Sequence, residues 1–204
     1  MERRHQLLEW AARTQAWIIE DDYDSEFRYH GKPLPPLKSL DAPQRVIYAG
    51  TFSKSMFPAL RTAWLVVPMT QVEYFRQQVA LAACSVPVLW QQTLADFMRE
   101  GHFWRHLKRM RQHYAQRRQW MENALTEHGF SVLPQEGGIQ LVMSVDADDV
   151  ALVRKANRAG LAVQALSQWR ITPNGQGGIL LSFTNISSAE MALQAAYQLR
   201  QALT

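Results

Sequence analysis

Short apolar runs of five or six residues alternate with longer amphipathic segments along the first half of the chain. The runs lie at residues 16–20, 45–50 and 63–67. Such runs are typical of strands buried on both faces of a parallel sheet, so the pattern predicts three strands of that kind. Helical periodicity predicts helices at residues 2–14, 70–83, 88–98 and 104–128. Thr70 and Glu73 form a capping-box pattern at the start of the second helix.

After residue 128 the pattern changes to shorter strands and helices. Strands are predicted at residues 131–133, 139–143, 161–163 and 179–183. Helices are predicted at residues 148–159 and 187–203. Gly129 and Gly160 lie where two of the predicted helices end, as glycine commonly does. The chain is therefore predicted to be α/β, with a buried strand layer followed by a smaller α+β unit.

Composition supports a folded protein. The chain has 204 residues, of which 47% are hydrophobic and 20% charged, which is sufficient for a core and argues against disorder. No run reaches the roughly 18 apolar residues needed to cross a membrane, and the N-terminal residues do not resemble a secretory signal. A lone cysteine, Cys84, excludes an internal disulfide and is interpreted as a packed thiol. These features predict a cytoplasmic protein.

Positive charge is concentrated in one predicted helix. The net charge is +4, and seven of the 22 lysines and arginines lie between Arg99 and Arg118. A nucleic-acid surface and a solvated helix face are both open, and the absence of a nucleic-acid motif favours the second. His102, His106 and His113 lie on the same segment. No carboxylate or cysteine completes a ligand set, so they are interpreted as solvated helix histidines rather than metal ligands.

The segment from Gly50 to Ser55 follows the second predicted strand and reads Gly-Thr-Phe-Ser-Lys-Ser. A lysine just past a buried strand, such as Lys54, is unusual as surface decoration, and a lysine that is partly desolvated can be a nucleophile. Hydroxyl and guanidinium groups nearby would suit a phosphate; they belong to Thr51, Ser53 and Arg61. A polar loop with a solvent-directed lysine is the alternative, and spacing alone does not separate the two.

An acidic segment follows the first predicted strand. Four of the five residues from Glu20 to Asp24 are acidic, with Tyr23 among them. Solvation or capping would account for them, and the spacing of a calcium loop is absent. In an extended segment, Asp21 and Tyr23 lie on one face and Asp22 on the other.

Together, these two segments resemble the aminotransferase-like domain of MocR/GabR-type transcriptional regulators. These are pyridoxal-phosphate proteins of fold type I, related to class I/II aminotransferases. The resemblance lies in residues 18–29, 46–55, 58–61 and 101–111. It implies the C-terminal portion of an aspartate aminotransferase-like domain, with part of the large-domain sheet in residues 1–105 and a small α+β domain in residues 106–204.

The resemblance also implies roles for individual residues. Lys54 would form the Schiff base with pyridoxal 5′-phosphate. Asp21 would pair with the pyridine nitrogen and keep it protonated, and Tyr23 would donate a hydrogen bond to the 3′ oxygen. The implied phosphate ligands are Thr51, Ser53 and Arg61.

Two departures from the family pattern qualify this resemblance. The glycine-rich phosphate loop, the ring-stacking aromatic residue, an asparagine near the 3′ oxygen and the winged-helix domain are not visible, which predicts a C-terminal fragment or a truncated gene product. Leu180 stands where aminotransferases carry an arginine for the substrate carboxylate, a feature that favours a regulator. Arg170 is a candidate substitute, or else an exposed arginine beside Trp169.

Three functions remain open from the sequence. The leading one is the effector-sensing domain of a regulator, which binds an amino acid or amine. The alternatives are a class I/II aminotransferase and a non-functional fragment. The resemblance further implies a homodimer, and contact with DNA only through a winged-helix domain outside this chain. Neither a metal nor a membrane partner is predicted.

Overall fold

The computed structural model describes residues 1–82, 85–172 and 175–203, so the interpretation of Cys84 lies outside the described residues. The helices are α1 (Glu2–Thr14), α2 (Val72–Leu81), α3 (Val88–Arg99), α4 (His102–Glu127), α5 (Asp149–Arg158) and α6 (Ala189–Leu203). The strands are β1 (Ile18–Asp22), β2 (Val46–Thr51), β3 (Ala63–Val66), β4 (Ser131–Val132), β5 (Gln140–Val145), β6 (Gln164–Ala165) and β7 (Gly177–Ser182).

The chain divides into two compact units. The first unit comprises residues 1–25 and 32–107, and the second comprises residues 26–31 and 108–204. The first residues of α4 belong to the first unit and the rest of that helix to the second. The division predicted from the sequence, between residues 105 and 106, stays a prediction about functional domains.

The first unit is built on a three-stranded sheet in the order β1-β2-β3. Strands β1 and β2 are parallel, with Asp21 opposite Ala49 and Asp22 opposite Gly50. Two small apolar clusters support the sheet. One comprises Leu8, Leu37 and Val46, and the other comprises Phe52, Leu94, Phe103 and Leu107.

Strand β3 differs from its prediction because it runs antiparallel to β2. The link between Thr51 and Ala63 is too short to carry the crossover of a dozen or more residues that a parallel pair requires. The prediction that all three strands are fully buried is also wrong. Ile19 in β1 is 72% exposed and Leu65 in β3 is 50% exposed. Three strands and the helices of this unit do not cover both faces of the sheet along its whole length.

The second unit contains a four-stranded antiparallel sheet in the order β4-β5-β7-β6. Its core combines inward-facing strand residues with residues of the helices. Examples are Met121 and Leu125 from α4, Leu141 from β5, Val153 from α5, Ile179 from β7 and Ala196 from α6. This arrangement confirms the α+β unit predicted for the second half of the chain.

Two local predictions are wrong. The helix predicted from residue 70 begins at Val72 after a short 3-10 helix, and Thr70 forms no capping hydrogen bond because Gln71 occupies the N-cap position. The strand predicted at residues 161–163 lies at Gln164–Ala165 instead.

Within the described residues, no helix combines the length and apolar composition needed to cross a membrane.

Candidate functional site

Strands β1 and β2 bring the two polar segments to one edge of the sheet. Because the strands are parallel, their carboxyl ends lie at the same edge, where ligands bind in open α/β sheets. Asp21 and Asp22 end β1, while Gly50 and Thr51 end β2. The predicted carboxylates and the lysine-bearing turn therefore start from neighbouring backbone positions in the first unit.

Gly50 is required by the close approach of Trp64 on the neighbouring strand. A Cβ atom built on Gly50 would lie 2.3 Å from Cζ2 of Trp64, whereas carbon atoms in contact are about 3.5–4.0 Å apart. The Trp64 ring in turn packs against Phe52, with ring centroids 4.6 Å apart. The glycine therefore lets an indole ring cross the end of β2 and support the start of the lysine-bearing turn.

The turn that carries Lys54 is closed by backbone and hydroxyl hydrogen bonds. The Phe52 N–H donates to the carbonyl of Thr62 at 3.1 Å, and the Met56 N–H donates to the carbonyl of Phe52 at 2.8 Å. The hydroxyls of Thr51 and Ser53 lie 3.0 Å apart, and the Ser53 N–H donates to Thr51 Oγ1 at 3.1 Å. Both hydroxyl residues are half-buried beside the lysine.

Lys54 itself is exposed. Its backbone lies within the turn that the Met56 N–H closes onto the carbonyl of Phe52. Arg61 is likewise exposed, and its backbone adopts the left-handed conformation at φ 48° directly after the 3-10 helix Pro58–Leu60. This conformation ends the short helix and turns the chain into β3.

The acidic segment separates into structural and accessible carboxylates. Glu20 accepts hydrogen bonds from the backbone N–H groups of Leu37 and Lys38, at 2.6 and 2.8 Å, and forms an ion pair with Arg4. Asp21 remains exposed. Among the described residues, no group of three or more histidine, cysteine, aspartate or glutamate side chains is arranged to hold a metal ion.

Asp22 anchors the loop that follows β1. Its carboxylate accepts hydrogen bonds from the Tyr48 hydroxyl at 2.9 Å, from the Ser25 hydroxyl at 2.8 Å and from the Ser25 N–H at 3.2 Å. Partial burial, with further contributions from Asp24 and Asp21, raises the pKa of the Tyr23 phenol above its usual value. Tyr23 is therefore protonated at neutral pH and able to donate a hydrogen bond.

Sequence reasoning missed two residues that support this site. Tyr48 is one residue of a predicted strand, and nothing in a single sequence pairs it with Asp22. His106 was interpreted as a solvated helix histidine, which is wrong: it is half-buried, and its Nε2 lies 2.9 Å from the carbonyl oxygen of Ser55. A usable signal was its spacing, three residues after Phe103 and next to Leu107, on the apolar face of the helix.

Arg170 and Leu180 belong to the second unit. The Arg170 guanidinium donates to the carbonyl oxygen of Gln176 at 2.6 Å and lies so close to Gly175 that a Cβ there would be 2.5 Å from a guanidinium nitrogen. Leu180 is half-buried in β7, opposite Val142 and Gln164. The Arg170 guanidinium is thus engaged by the backbone of Gln176.

The side chains at the edge of the first sheet form a chemically coherent set. An amine, an accessible carboxylate, a protonated phenol, two hydroxyls and a guanidinium lie on the two segments that leave β1 and β2. An aromatic aldehyde with a ring nitrogen, a phenolic oxygen and a phosphate needs these partners. The residues therefore fit pyridoxal phosphate.

Comparison with known proteins decides the family. The model for "Aminotransferase class I and II" matches residues 2–194. The chain belongs to this family. Pyridoxal phosphate is the cofactor of the family, which confirms the cofactor prediction at that level.

Curated relatives include both regulators and an aminotransferase. The chain is 37% identical over 196 residues to a probable rhizopine catabolism regulatory protein, MocR, of Rhizobium meliloti, covering 94% of this chain and 40% of the relative. It is 34% identical over 183 residues to the pyridoxine biosynthesis regulator PdxR of Corynebacterium glutamicum, covering 89% and 40%. It is 31% identical over 170 residues to an aromatic-amino-acid aminotransferase of Thermococcus litoralis, covering 78% and 40%.

Solved structures confirm the fold. The chain superposes on the kynurenine aminotransferase of Pyrococcus horikoshii with a TM-score of 0.87 and 26% identity, over all of this chain and 51% of that one. It superposes on LysN of Thermus thermophilus, solved with N-(5′-phosphopyridoxyl)-L-leucine, with a TM-score of 0.83 and 25% identity, over 98% and 53%. The chain thus has the pyridoxal-phosphate fold of type I, and it spans about half the length of these structures and about 40% of the curated relatives.

Proposed function

We propose that this chain is the pyridoxal-phosphate-binding, effector-sensing part of a MocR/GabR-type transcriptional regulator. One observation carries the proposal: the parallel pairing of β1 and β2 brings the Asp21 segment and the Lys54 turn to one sheet edge. The similarity to MocR and PdxR supports the regulatory reading.

In this proposal Lys54 holds the cofactor covalently. Its primary amine would be the group that binds the aldehyde carbon of the cofactor. Lys54 is an exposed residue, while the closed turn from Phe52 to Met56 limits how far the lysine backbone can move. When bound, the cofactor supplies an electron-withdrawing ring and an aldehyde carbon able to exchange one amine for another.

Asp21 and Tyr23 orient the ring in this proposal. The Asp21 carboxylate pairs with the ring nitrogen and holds a proton there, since a neighbouring negative charge favours the protonated form. Tyr23, whose pKa is raised first by burial and then by Asp24 and Asp21, keeps its proton and donates a hydrogen bond to the 3′ oxygen.

The phosphate would be bound by one charged and two neutral groups. Arg61 supplies a charge-assisted hydrogen bond, and the half-buried hydroxyls of Thr51 and Ser53 supply neutral ones. Thr51 Oγ1 donates its proton to Ser53 Oγ at 3.0 Å, so the Ser53 proton is left for the phosphate, and the Thr51 hydroxyl would have to turn away from Ser53 to donate as well.

The sensing role is argued from the residues available to bind the carboxylate of an amino compound. The effector in this proposal is an amino acid or an amine. Position 180, where aminotransferases carry an arginine for the substrate carboxylate, is an uncharged leucine here, and Arg170 is held by the carbonyl of Gln176. This favours a regulator over a transaminase, while Arg170 remains a candidate carboxylate ligand if it leaves that carbonyl.

A class I/II aminotransferase is the second candidate. It is favoured by the TM-score of 0.87 to an aminotransferase and by the relative from Thermococcus litoralis. An aminotransferase would convert an amino acid and a keto acid over many turnovers, whereas a sensor would bind the amino compound without sustained keto-acid release.

The assembly and location are part of the same proposal. We propose a homodimer, since α2 and α3 of the first unit expose large apolar side chains, including Leu81 at 80%, Leu89 at 69% and Trp90 at 53%. DNA would be contacted only by a winged-helix domain outside this chain. A cytoplasmic location completes the proposal.

The test is a titration of the purified chain with pyridoxal phosphate, followed by visible absorbance and compared with a Lys54→Ala variant. Absorbance of the lysine–cofactor Schiff base is expected in the wild-type chain and not in the variant. Equal absorbance in both would refute the assignment of Lys54. Absence of the signal in both would refute cofactor binding and favour a non-functional fragment. Release of keto acid over many turnovers would refute the sensing role and support the aminotransferase instead.

A further inference from the structure

The turn that carries Lys54 is held by helix α4 at two points. On one side of the lysine, the Phe52 ring packs edge-on against Phe103 of α4, with ring centroids 5.7 Å apart. On the other side, the carbonyl oxygen of Ser55 lies 2.9 Å from Nε2 of His106 of α4. Lys54 therefore lies between an apolar and a polar attachment to the same helix.

The polar attachment has one possible direction. A carbonyl oxygen only accepts hydrogen bonds, so Nε2 of His106 must carry the proton. Neutral imidazole with the proton on Nε2 and protonated imidazolium both meet this requirement. The contact therefore does not depend on the charge of the histidine.

The Ser55 side chain does not anchor the turn. Ser55 is 1% exposed, and its hydroxyl has no hydrogen-bond partner among the described residues. Two hydrogen bonds among the described residues hold the backbone on this side of Lys54. One is from the Met56 N–H to the carbonyl of Phe52, and the other is from His106 to the carbonyl of Ser55. Loss of the bond from His106 would leave the Met56 N–H bond to hold this side of the turn.

The surroundings of His106 favour a defined geometry. Phe103, one turn earlier on α4, is 5% exposed, and the adjacent Leu107 is 1% exposed; both belong to the apolar cluster that includes Phe52. A half-buried imidazole next to these buried side chains has less room to move than a fully exposed one, which favours its bond to Ser55.

We propose that His106 is a positioning residue: it holds the Ser55 carbonyl and thereby sets the backbone from which the Lys54 amine approaches the cofactor. This rests on the proposed function for the role of Lys54, while the contact itself does not. Removal of the bond is expected to weaken cofactor attachment at Lys54 by about 3- to 10-fold, the range for one hydrogen bond.

The test compares His106→Leu, which has no donor, with His106→Gln, whose amide can donate to the same carbonyl. His113→Leu is the matched control, since His113 is an exposed histidine on the same helix, roughly 10 Å further along its axis. One readout is hydrogen exchange of the Met56 amide without cofactor. The other is the apparent affinity for pyridoxal phosphate, measured by Schiff-base absorbance. Thermal unfolding confirms that each variant is folded.

The proposal expects His106→Leu to speed exchange at Met56 and to weaken cofactor attachment, each by about 3- to 10-fold, with both restored by His106→Gln and unchanged in His113→Leu. Unchanged exchange in His106→Leu would overturn the contact, even if cofactor binds normally. Failure of His106→Gln to restore either readout would overturn the hydrogen bond as its basis. A wild-type chain that takes no cofactor at Lys54 would refute the proposed function and with it the role in attachment, while the exchange result would still decide the contact.

Discussion

Replacement of Gly50 by alanine should disturb the lysine-bearing turn through Trp64. The new Cβ would lie 2.3 Å from Cζ2 and 2.4 Å from Cε2 of the indole. Since carbon atoms in contact need about 3.5 Å or more, the ring must retreat by more than roughly 1 Å. It cannot do so without disturbing Phe52, whose ring centroid is 4.6 Å away and which lies two residues before Lys54.

The expected cost is about 1–3 kcal/mol, the range for overpacking a close contact. The backbone of Gly50 is not in the left-handed region, so an alanine is otherwise tolerated there. In open space, Gly→Ala stabilises by about 0.4–1 kcal/mol because it reduces the freedom of the unfolded chain. The sign of the effect therefore depends on the indole ring.

A double-mutant cycle measures this dependence. Urea unfolding is followed for the wild type, Gly50→Ala, Trp64→Ala and the double variant. Gly50→Ala should destabilise the wild type by about 1–3 kcal/mol but be neutral or slightly stabilising beside Trp64→Ala. An equal cost in both backgrounds would refute the reasoning, because the clash would then not involve the indole.

Two further changes test the supporting framework. Asp149 is buried and accepts hydrogen bonds from the Ser167 N–H at 2.9 Å, the Gly178 N–H at 3.0 Å and the Ser167 hydroxyl. Asp149→Asn should therefore lower the free energy of unfolding by about 3 kcal/mol, as measured with urea. The control Asp148→Asn should change little, because asparagine is an equally good N-cap residue. Burial alone would raise the pKa of Asp149, but these hydrogen bonds lower the pKa overall. The stability that the Asp149 carboxylate confers is therefore present above the unfolded pKa of about 3.9 and is lost as pH falls through the lower folded pKa. Asp149→Asn should lack this acid-dependent loss of stability. Tyr48→Phe removes one of three hydrogen bonds to Asp22 and should weaken cofactor binding by about 2- to 10-fold in the Schiff-base titration; an unchanged affinity would show that the Ser25 bonds suffice.

The position of the candidate site at the ends of β1 and β2 was predictable because it depends on consecutive residues. Short apolar runs followed by Asp21 and by Lys54 predict two neighbouring strands whose carboxyl ends carry functional groups, and the observed pairing of Asp21 with Ala49 agrees with that. The helices were predictable for the same reason, since their apolar spacing is a property of consecutive residues.

The features that were missed depend on contacts between distant residues. His106 and Ser55 are 51 positions apart, and Tyr48 and Asp22 are 26 apart, so no local pattern pairs them. The direction of β3 was missed because an apolar run does not distinguish parallel from antiparallel pairing; the length of the preceding link does. The exposure of Ile19 was missed because a run of apolar residues indicates a strand that can be buried but does not show whether another element covers that strand.

The covalent attachment of pyridoxal phosphate at Lys54 is tested most directly by reduction and peptide mapping. The chain is incubated with the cofactor, treated with borohydride and digested, and the labelled lysine is located by mass spectrometry. The chain has four other lysines, Lys32, Lys38, Lys108 and Lys155, which serve as internal controls. The expected label is confined to the peptide with Lys54 and is lost in Lys54→Arg. A label spread over the exposed lysines, or unchanged in Lys54→Arg, would contradict it.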